Sequence, residues 1–286
     1  MKIFIYLIQF LIISLLLVLF KILGYRMASN FGGLIGTFFG QMFRSKKLIE
    51  NNIKKSLTKI NENETAEIIR AMWSNYGRIL SDYVFIKNFR QSKLEKYLEI
   101  EGKEIFEEIK KSGEPVVFIS GHFNNFELMA MEIEKSGVNV AAIYRPLNNI
   151  FLNKIMERIR KKYICKHQIK KGISGIREIL QFYKKGFSIA LMIDQRVSEG
   201  IKSNLFGRPA LTTTIPAQLV KKFGCKVVPI YIERNNKLNY RIKVNRPIKF
   251  DKNETIESIT NQLNNWLEKM ILIKPNQWIW SHNRWK

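Results

Sequence analysis

The side chains best suited to chemistry sit just after apolar runs. His122 follows Val116-Val117-Phe118-Ile119 and a small-residue turn, Ser120-Gly121. Glu127 stands five residues later, where a helical pattern opens with Leu128, Met129, Met131 and Ile133. Asn124 reads as the N-cap of that helix, with Glu127 at its third position. From there a carboxylate can reach back and hold one imidazole nitrogen, which leaves the other as a general base. The same residues also suit a plain capping box, with His122 an ordinary turn residue. The spacing alone does not choose between the two.

Two more groups occupy the same kind of place. Tyr144-Arg145-Pro146 ends an apolar run, and the proline forces an exit from regular structure. Arg145 there suits a phosphate or a developing oxyanion, or is a plain surface arginine. Asp194-Gln195 follows the run 187–193. Asp194 either supports the site or holds Arg145, or else caps a loop. Phe206-Gly207-Arg208-Pro209-Ala210 reads as an extended segment and turn before Thr212-Thr213-Thr214 and a helix. The threonines suit a helix cap that donates to an anion. His167 lies in a basic run, 161–171, that reads as solvated, and His282 reads as structural.

These groups need a scaffold that collects them at one edge. Strands are expected at 98–101, 116–120, 138–144, 187–193, 227–232 and 240–244. Helices are expected at 105–111, 127–135, 149–161, 173–184, 215–223 and 254–272. Strands alternating with helices argue an α/β fold with a mixed, mostly parallel central sheet flanked by helices. Ligands collect at the carboxyl ends of such strands. The last strands are expected to run antiparallel. Pro229 places the strand at 227–232 at an edge or bulge.

The first 45 residues are different. Residues 3–20 are apolar except for Gln9 and Ser14, with Lys2 and Lys21 as brackets. That run just spans a hydrocarbon core and reads as a retained transmembrane anchor. A glycine-rich apolar stretch, 31–40, lies in the interface or packs on the anchor. Arg44, Lys46 and Lys47 follow, so the positive-inside rule places the body on the cytoplasmic side. The division is an anchor and interfacial segment, 1–45, then one catalytic-size domain, 46–286, with a helical lead-in at 46–95.

The chain has 286 residues, 46% hydrophobic, with 48 Lys and Arg against 24 Asp and Glu, a net charge of +24. Such charge implies anionic partners. The basic residues are spread out, with no helix-turn-helix or RNA-binding signature, so no nucleic-acid partner is expected. Cys165 and Cys225 are unpatterned, which points to a reducing compartment. There is no metal-ligand spacing, no P-loop and no Gly-x-Ser-x-Gly elbow, so no cofactor and no metal are expected. A reaction with one base and no cofactor fits, such as moving an acyl group from a thioester to a hydroxyl. The competing reading is a non-catalytic basic protein that binds membrane or nucleic acid.

Taken together, Gly121-His122-x4-Glu127, Tyr144-Arg145-Pro146, Asp194-Gln195, Phe206-Gly207-Arg208-Pro209-Ala210, Val227-Val228-Pro229 and the terminal Trp280-Ser281-His282-Asn283-Arg284-Trp285-Lys286 resemble the lipid A late acyltransferases of the lauroyl and myristoyl type. The His-x4-acid element alone is shared with glycerolipid acyltransferases. The glutamate and the tryptophan-rich end point to the lipid A branch. The chain departs at Asn124-Asn125-Phe126, where the family usually has Gly-Asn-Trp.

The resemblance implies a glycerolipid-acyltransferase-like fold and an enzyme on the cytoplasmic face of the inner membrane of a Gram-negative-type bacterium. It implies acyl transfer from acyl carrier protein, or acyl-coenzyme A, to a hydroxyacyl chain of a phosphorylated glycolipid, a lipid A precursor. His122 and Glu127 would form the base dyad, with no covalent intermediate. Arg145, Asp194, Gln195, Asn125 and Arg208 would bind substrate. A glycerolipid or other lipid acceptor is the alternative.

Overall fold

The structure is a computed structural model that describes residues 2–286. Helix α1 (Lys2–Phe39) leads, followed by α2 (Lys46–Ser56), α3 (Glu62–Asp82) and α4 (Ile86–Gln91). The α/β part then runs β1 (Leu98–Glu101), α5 (Lys103–Ser112), β2 (Val117–Ser120), α6 (Glu127–Lys135), β3 (Val140–Tyr144), α7 (Ile150–Ile159), β4 (His167–Lys170) and α8 (Ile173–Lys184). It continues with β5 (Ser188–Met192), β6 (Ile201–Leu205), β7 (Arg208–Thr212), α9 (Ile215–Phe223), β8 (Val227–Asn235), β9 (Asn239–Val244) and α10 (Ile256–Ile273).

Seven strands form one sheet in the order β1-β9-β8-β2-β5-β3-β4. Strands β8, β2, β5, β3 and β4 are mutually parallel, and β9 runs antiparallel to β8. The carboxyl ends of β2, β5 and β3 therefore meet at one edge, where His122, Asp194 and Arg145 emerge. All four residues of β2 are buried, as a strand covered on both faces requires.

Several sequence expectations change. β4 falls inside the basic run taken as solvated. Ile169 is fully buried there, and the His167 ring packs against Phe182 and Phe187, so alternating apolar contacts outweigh the lysines. Pro229 is not at a sheet edge. β8 pairs with β2 through Pro229 and with β9 from Ile230 onward, so the proline sits where the strand changes partner. The segment around Arg208 is an antiparallel hairpin, β6–β7, held on α10 by Asn264, whose amide donates to Ser203 Oγ, Asn204 O and Thr212 Oγ1.

Gly24, at φ 74° and ψ 163°, breaks α1 into two helices. The second half does not lie against the first alone: it packs across α3. A Cβ on Gly77 would fall 1.8 Å from the Gly32 carbonyl oxygen, so these helices touch backbone to backbone. The C-terminal tryptophans turn inward. Trp278, Trp280 and Arg284 are among the largest fully buried side chains.

Candidate functional site

β2 delivers His122 half-buried, its side chain 19% exposed, while Asp194 behind it has no exposure at all. The imidazole Nδ1 lies 2.7 Å from Asp194 Oδ1. The His122 backbone N–H donates to Asp194 Oδ2 at 2.6 Å, and the Trp278 indole N–H donates to the same oxygen at 2.9 Å. Burial acts to raise the Asp194 carboxyl. The His122 imidazole, its backbone N–H and the Trp278 indole outweigh that, so the carboxyl sits below its usual range. A carboxylate facing Nδ1 fixes the neutral tautomer with hydrogen on Nδ1 and the lone pair on Nε2. Gln195 Nε2 is 3.4 Å from that Nε2. The Phe126 ring meets the imidazole edge-on, with centroids 4.7 Å apart and planes at 70°.

Glu127 does not hold His122. Its Oε1 accepts from Arg160 Nε at 2.9 Å, from Arg160 Nη2 at 2.5 Å and from the Tyr83 hydroxyl at 2.5 Å. The expected cap geometry fails for a local reason. Asn124 is not the N-cap: it adopts φ +41°, the left-handed region, and its side chain accepts from the Asn125 N–H. The helix then starts at Glu127 itself, with Phe126 as its cap residue. The carboxylate thus meets Arg160, which opens a π-helical turn, Arg160–Ile164, a feature frequent at functional sites. Burial lowers the Arg160 guanidinium, but the Glu127 and Tyr83 side chains more than reverse it. Arg160 Nη1 is buried with no partner.

A cavity of about 490 Å³ joins these groups. His122, Glu127, Arg160, Arg145 and Gln195 all line it. Met129, Ala130, Ile133, Ile164 and Leu191 make an apolar wall, and Arg44 and Lys171 add to Arg145 as cations. Among the described residues none of these three cations has an ion-pair partner. Burial, and then the nearby Arg145 charge, hold the Lys171 ammonium below its usual range.

Three residues expected to bind substrate do not line the cavity: Asp194, which holds the imidazole from behind, Asn125 and Arg208. Asn125 is fully buried and donates to Asp82 Oδ2 at 3.1 Å, within a network that includes Arg234 and Tyr240. It holds the loop, not a ligand. Arg208 lies with its guanidinium carbon 4.4 Å from the Trp285 ring centroid and does not line the cavity. Tyr83, Arg160 and Trp278 were not foreseen. Only Trp278 carried a signal, as part of the tryptophan-dense end.

The family model described as bacterial lipid A biosynthesis acyltransferase matches residues 1–286. The chain belongs to this family. It is similar to the lipid A biosynthesis lauroyltransferase of Escherichia coli K12, 22% identical over 270 residues, 92% of this chain and 85% of that protein. The lipid A biosynthesis acyltransferase of Haemophilus influenzae is 23% identical over 264 residues, 88% and 83%. The E. coli lipid A biosynthesis myristoyltransferase is 22% identical over 255 residues, 86% and 77%. A solved 1-acyl-sn-glycerophosphate acyltransferase from Thermotoga maritima aligns over 96% of this chain and 99% of that one, at 12% identity and a TM-score of 0.43, too low to carry an argument.

Membership makes the protein a bacterial acyltransferase of the lipid A class. In such an acyltransferase the left-handed backbone at Asn124 is where a glycine would sit without strain. Asparagine is among the residues that reach it next most readily. The substitution therefore keeps the turn. Phe126 supplies an edge contact to His122 with no indole donor.

Proposed function

We propose that the protein is a membrane-bound O-acyltransferase that moves a fatty acyl chain from an acyl thioester to a hydroxyacyl chain of a lipid A precursor. The observation that carries this reading is the His122 imidazole on the cavity wall, pinned at Nδ1 by a fully buried carboxylate, with Nε2 met only by the Gln195 amide at 3.4 Å. Nε2 takes the proton of the acceptor hydroxyl. The oxygen attacks the thioester carbonyl, giving a tetrahedral oxyanion. Collapse breaks the carbon–sulfur bond, and the thiolate leaves with the proton that His122 had taken. No side-chain ester is needed on this route.

The carboxylate that orients the base is Asp194 in this reading, and Glu127 works through Arg160. Glu127 fixes two guanidinium nitrogens of Arg160, which lines the cavity, and leaves Nη1 buried without a partner. The apolar wall suits a hydrocarbon chain. The net charge of +24 supports acyl carrier protein, an acidic partner, as donor. The helical stretch Lys2–Phe43 is long and apolar enough to cross a membrane, which supports attachment to the inner membrane. The basic residues after it, Arg44, Lys46 and Lys47, suit the anionic cytoplasmic leaflet, which supports a body on that side.

The test is direct. Purified protein is incubated with acyl carrier protein charged with a labelled chain, and separately with acyl-coenzyme A, over a panel of acceptors. Transfer to the hydroxyacyl glycolipid supports the reading. Transfer to lysophospholipid with none to the glycolipid sinks it.

A further inference from the structure

The first half of α1 is apolar on every side, yet it does not stand away from the body. Near its start the Asn149 side chain donates to the Tyr6 carbonyl at 2.8 Å, and Phe10 meets Phe151 with ring centroids 5.7 Å apart. Near its end the Lys21 ammonium lies 5.3 Å from the Phe85 ring centroid, and just past Gly24 the Tyr25 hydroxyl donates to the Leu238 carbonyl at 2.6 Å. Between these ends Phe10, Ile13 and Leu17 are half-buried and Phe20 is fully buried. The opposite face, with Leu11, Leu15, Val18 and Ile22, is exposed.

From Tyr6 to Lys21 the helix advances about 22 Å. If it crossed a bilayer with Lys21 at one surface, Asn149 would be carried about 22 Å into a hydrocarbon core roughly 30 Å thick. Arg145, Asn148, Lys154 and Arg158 lie within a few residues of Asn149 and are exposed. They would enter hydrocarbon with it, against the cost of charge there. A helix lying in the interface alone needs a polar face. This one needs none, because the body covers the inward face.

We propose that the first half of α1 lies along the surface of one leaflet with its outer face in lipid, instead of crossing the bilayer, and that the cavity mouth opens onto that leaflet. Exposed Leu147, Ile150 and Ile155 beside Phe151 continue the apolar surface, and Leu147 also lines the cavity with Arg145. Lys154 and Arg158 stand ready for anionic head groups at the same rim. The occupant of this surface is a phospholipid leaflet. Resting on the reading above, it lets a lipid acceptor reach His122 while its other chains stay in the membrane.

The experiment labels full-length protein in sealed membrane vesicles with a membrane-impermeant maleimide. Cys165 and Cys225 are buried and give no background. Lys55→Cys, on exposed α2, marks the side of the body. Lys2→Cys is expected to react from that same side, within a few-fold of the Lys55→Cys rate. Reaction of Lys2→Cys only from the opposite side, or only after detergent, overturns the proposal. The double variant Phe10→Cys/Phe151→Cys is expected to be joined by a short bis-maleimide in the membrane, and failure to join while each thiol reacts singly also counts against it. Labelling reads topology without turnover, so an inactive protein with same-side labelling damages the acyltransferase reading alone.

Discussion

Replacing Asp194 with asparagine tests the base most sharply. Three donors face this carboxylate: His122 N–H and Trp278 Nε1–H on Oδ2, and the His122 ring nitrogen Nδ1 on Oδ1. An amide has one accepting oxygen. Two donors converge on the Oδ2 position, so the oxygen stays there and the amide NH₂ turns to Nδ1. Nδ1 must then accept, which moves the ring hydrogen to Nε2 and removes the lone pair that takes the substrate proton. Loss of a positioned base with the wrong tautomer costs roughly 100- to 10,000-fold in kcat. That corresponds to about 2.7–5.5 kcal/mol in the barrier. The fold should survive, since the side chains are isosteric, with a penalty of about 1–3 kcal/mol for exchanging hydrogen bonds to a charged carboxylate for neutral ones. Initial rates of thioester-to-hydroxyl transfer, with circular dichroism on the same samples, measure both. A folded Asp194→Asn protein with kcat within threefold of the parent refutes the assignment of Asp194 as orienter.

Other perturbations separate the remaining parts. Glu127→Gln breaks a buried pair and should cost about 3–5 kcal/mol of stability. It should also lower kcat through Arg160, and a folded Glu127→Gln protein with unchanged kcat would count against this. Gly77→Ala drives a methyl into the Gly32 carbonyl and should lower stability by about 1–3 kcal/mol or more, read as a drop in Tm with kcat intact. His282 is pushed down to about 4, first by burial, and its Nε2 accepts from the Arg196 N–H at 3.0 Å. A depressed histidine favours the fold while neutral. Its contribution is thus full above about 6.5, the unfolded value, and fades as pH falls toward 4. His282→Gln should flatten the loss of Tm across that window, and an unchanged slope would remove His282 as its source.

Much of the fold was legible because it rests on local signals. The helices Glu127–Lys135, Ile173–Lys184 and Ile215–Phe223 coincide with the expected bounds, since amphipathic spacing and flanking turns define them. Three parallel strands ending in polar residues placed His122, Arg145 and Asp194 at one edge. What stayed hidden depends on long-range geometry. The partner of His122 lies 72 residues away, and that of Asp194 Oδ2 another 84. No spacing rule reaches across β2, β5 and the C-terminal turn. Spacing favoured Glu127 only because a capped helix was assumed, and Asn124 in the left-handed region removed that assumption. Likewise, an apolar run of spanning length looks the same whether its inner face meets lipid or a body such as Phe151 and Phe85.

Acyl transfer to a lipid A precursor with His122 as the base is read from the mass of the product. Wild-type protein and His122→Ala are each mixed with acyl carrier protein carrying one defined chain and with the hydroxyacyl glycolipid, and the lipid is weighed by mass spectrometry. Wild-type protein is expected to give a glycolipid heavier by one acyl group, and folded His122→Ala a yield lower by at least about 100-fold. An unshifted glycolipid with wild-type protein, or an undiminished shift with His122→Ala, would contradict it.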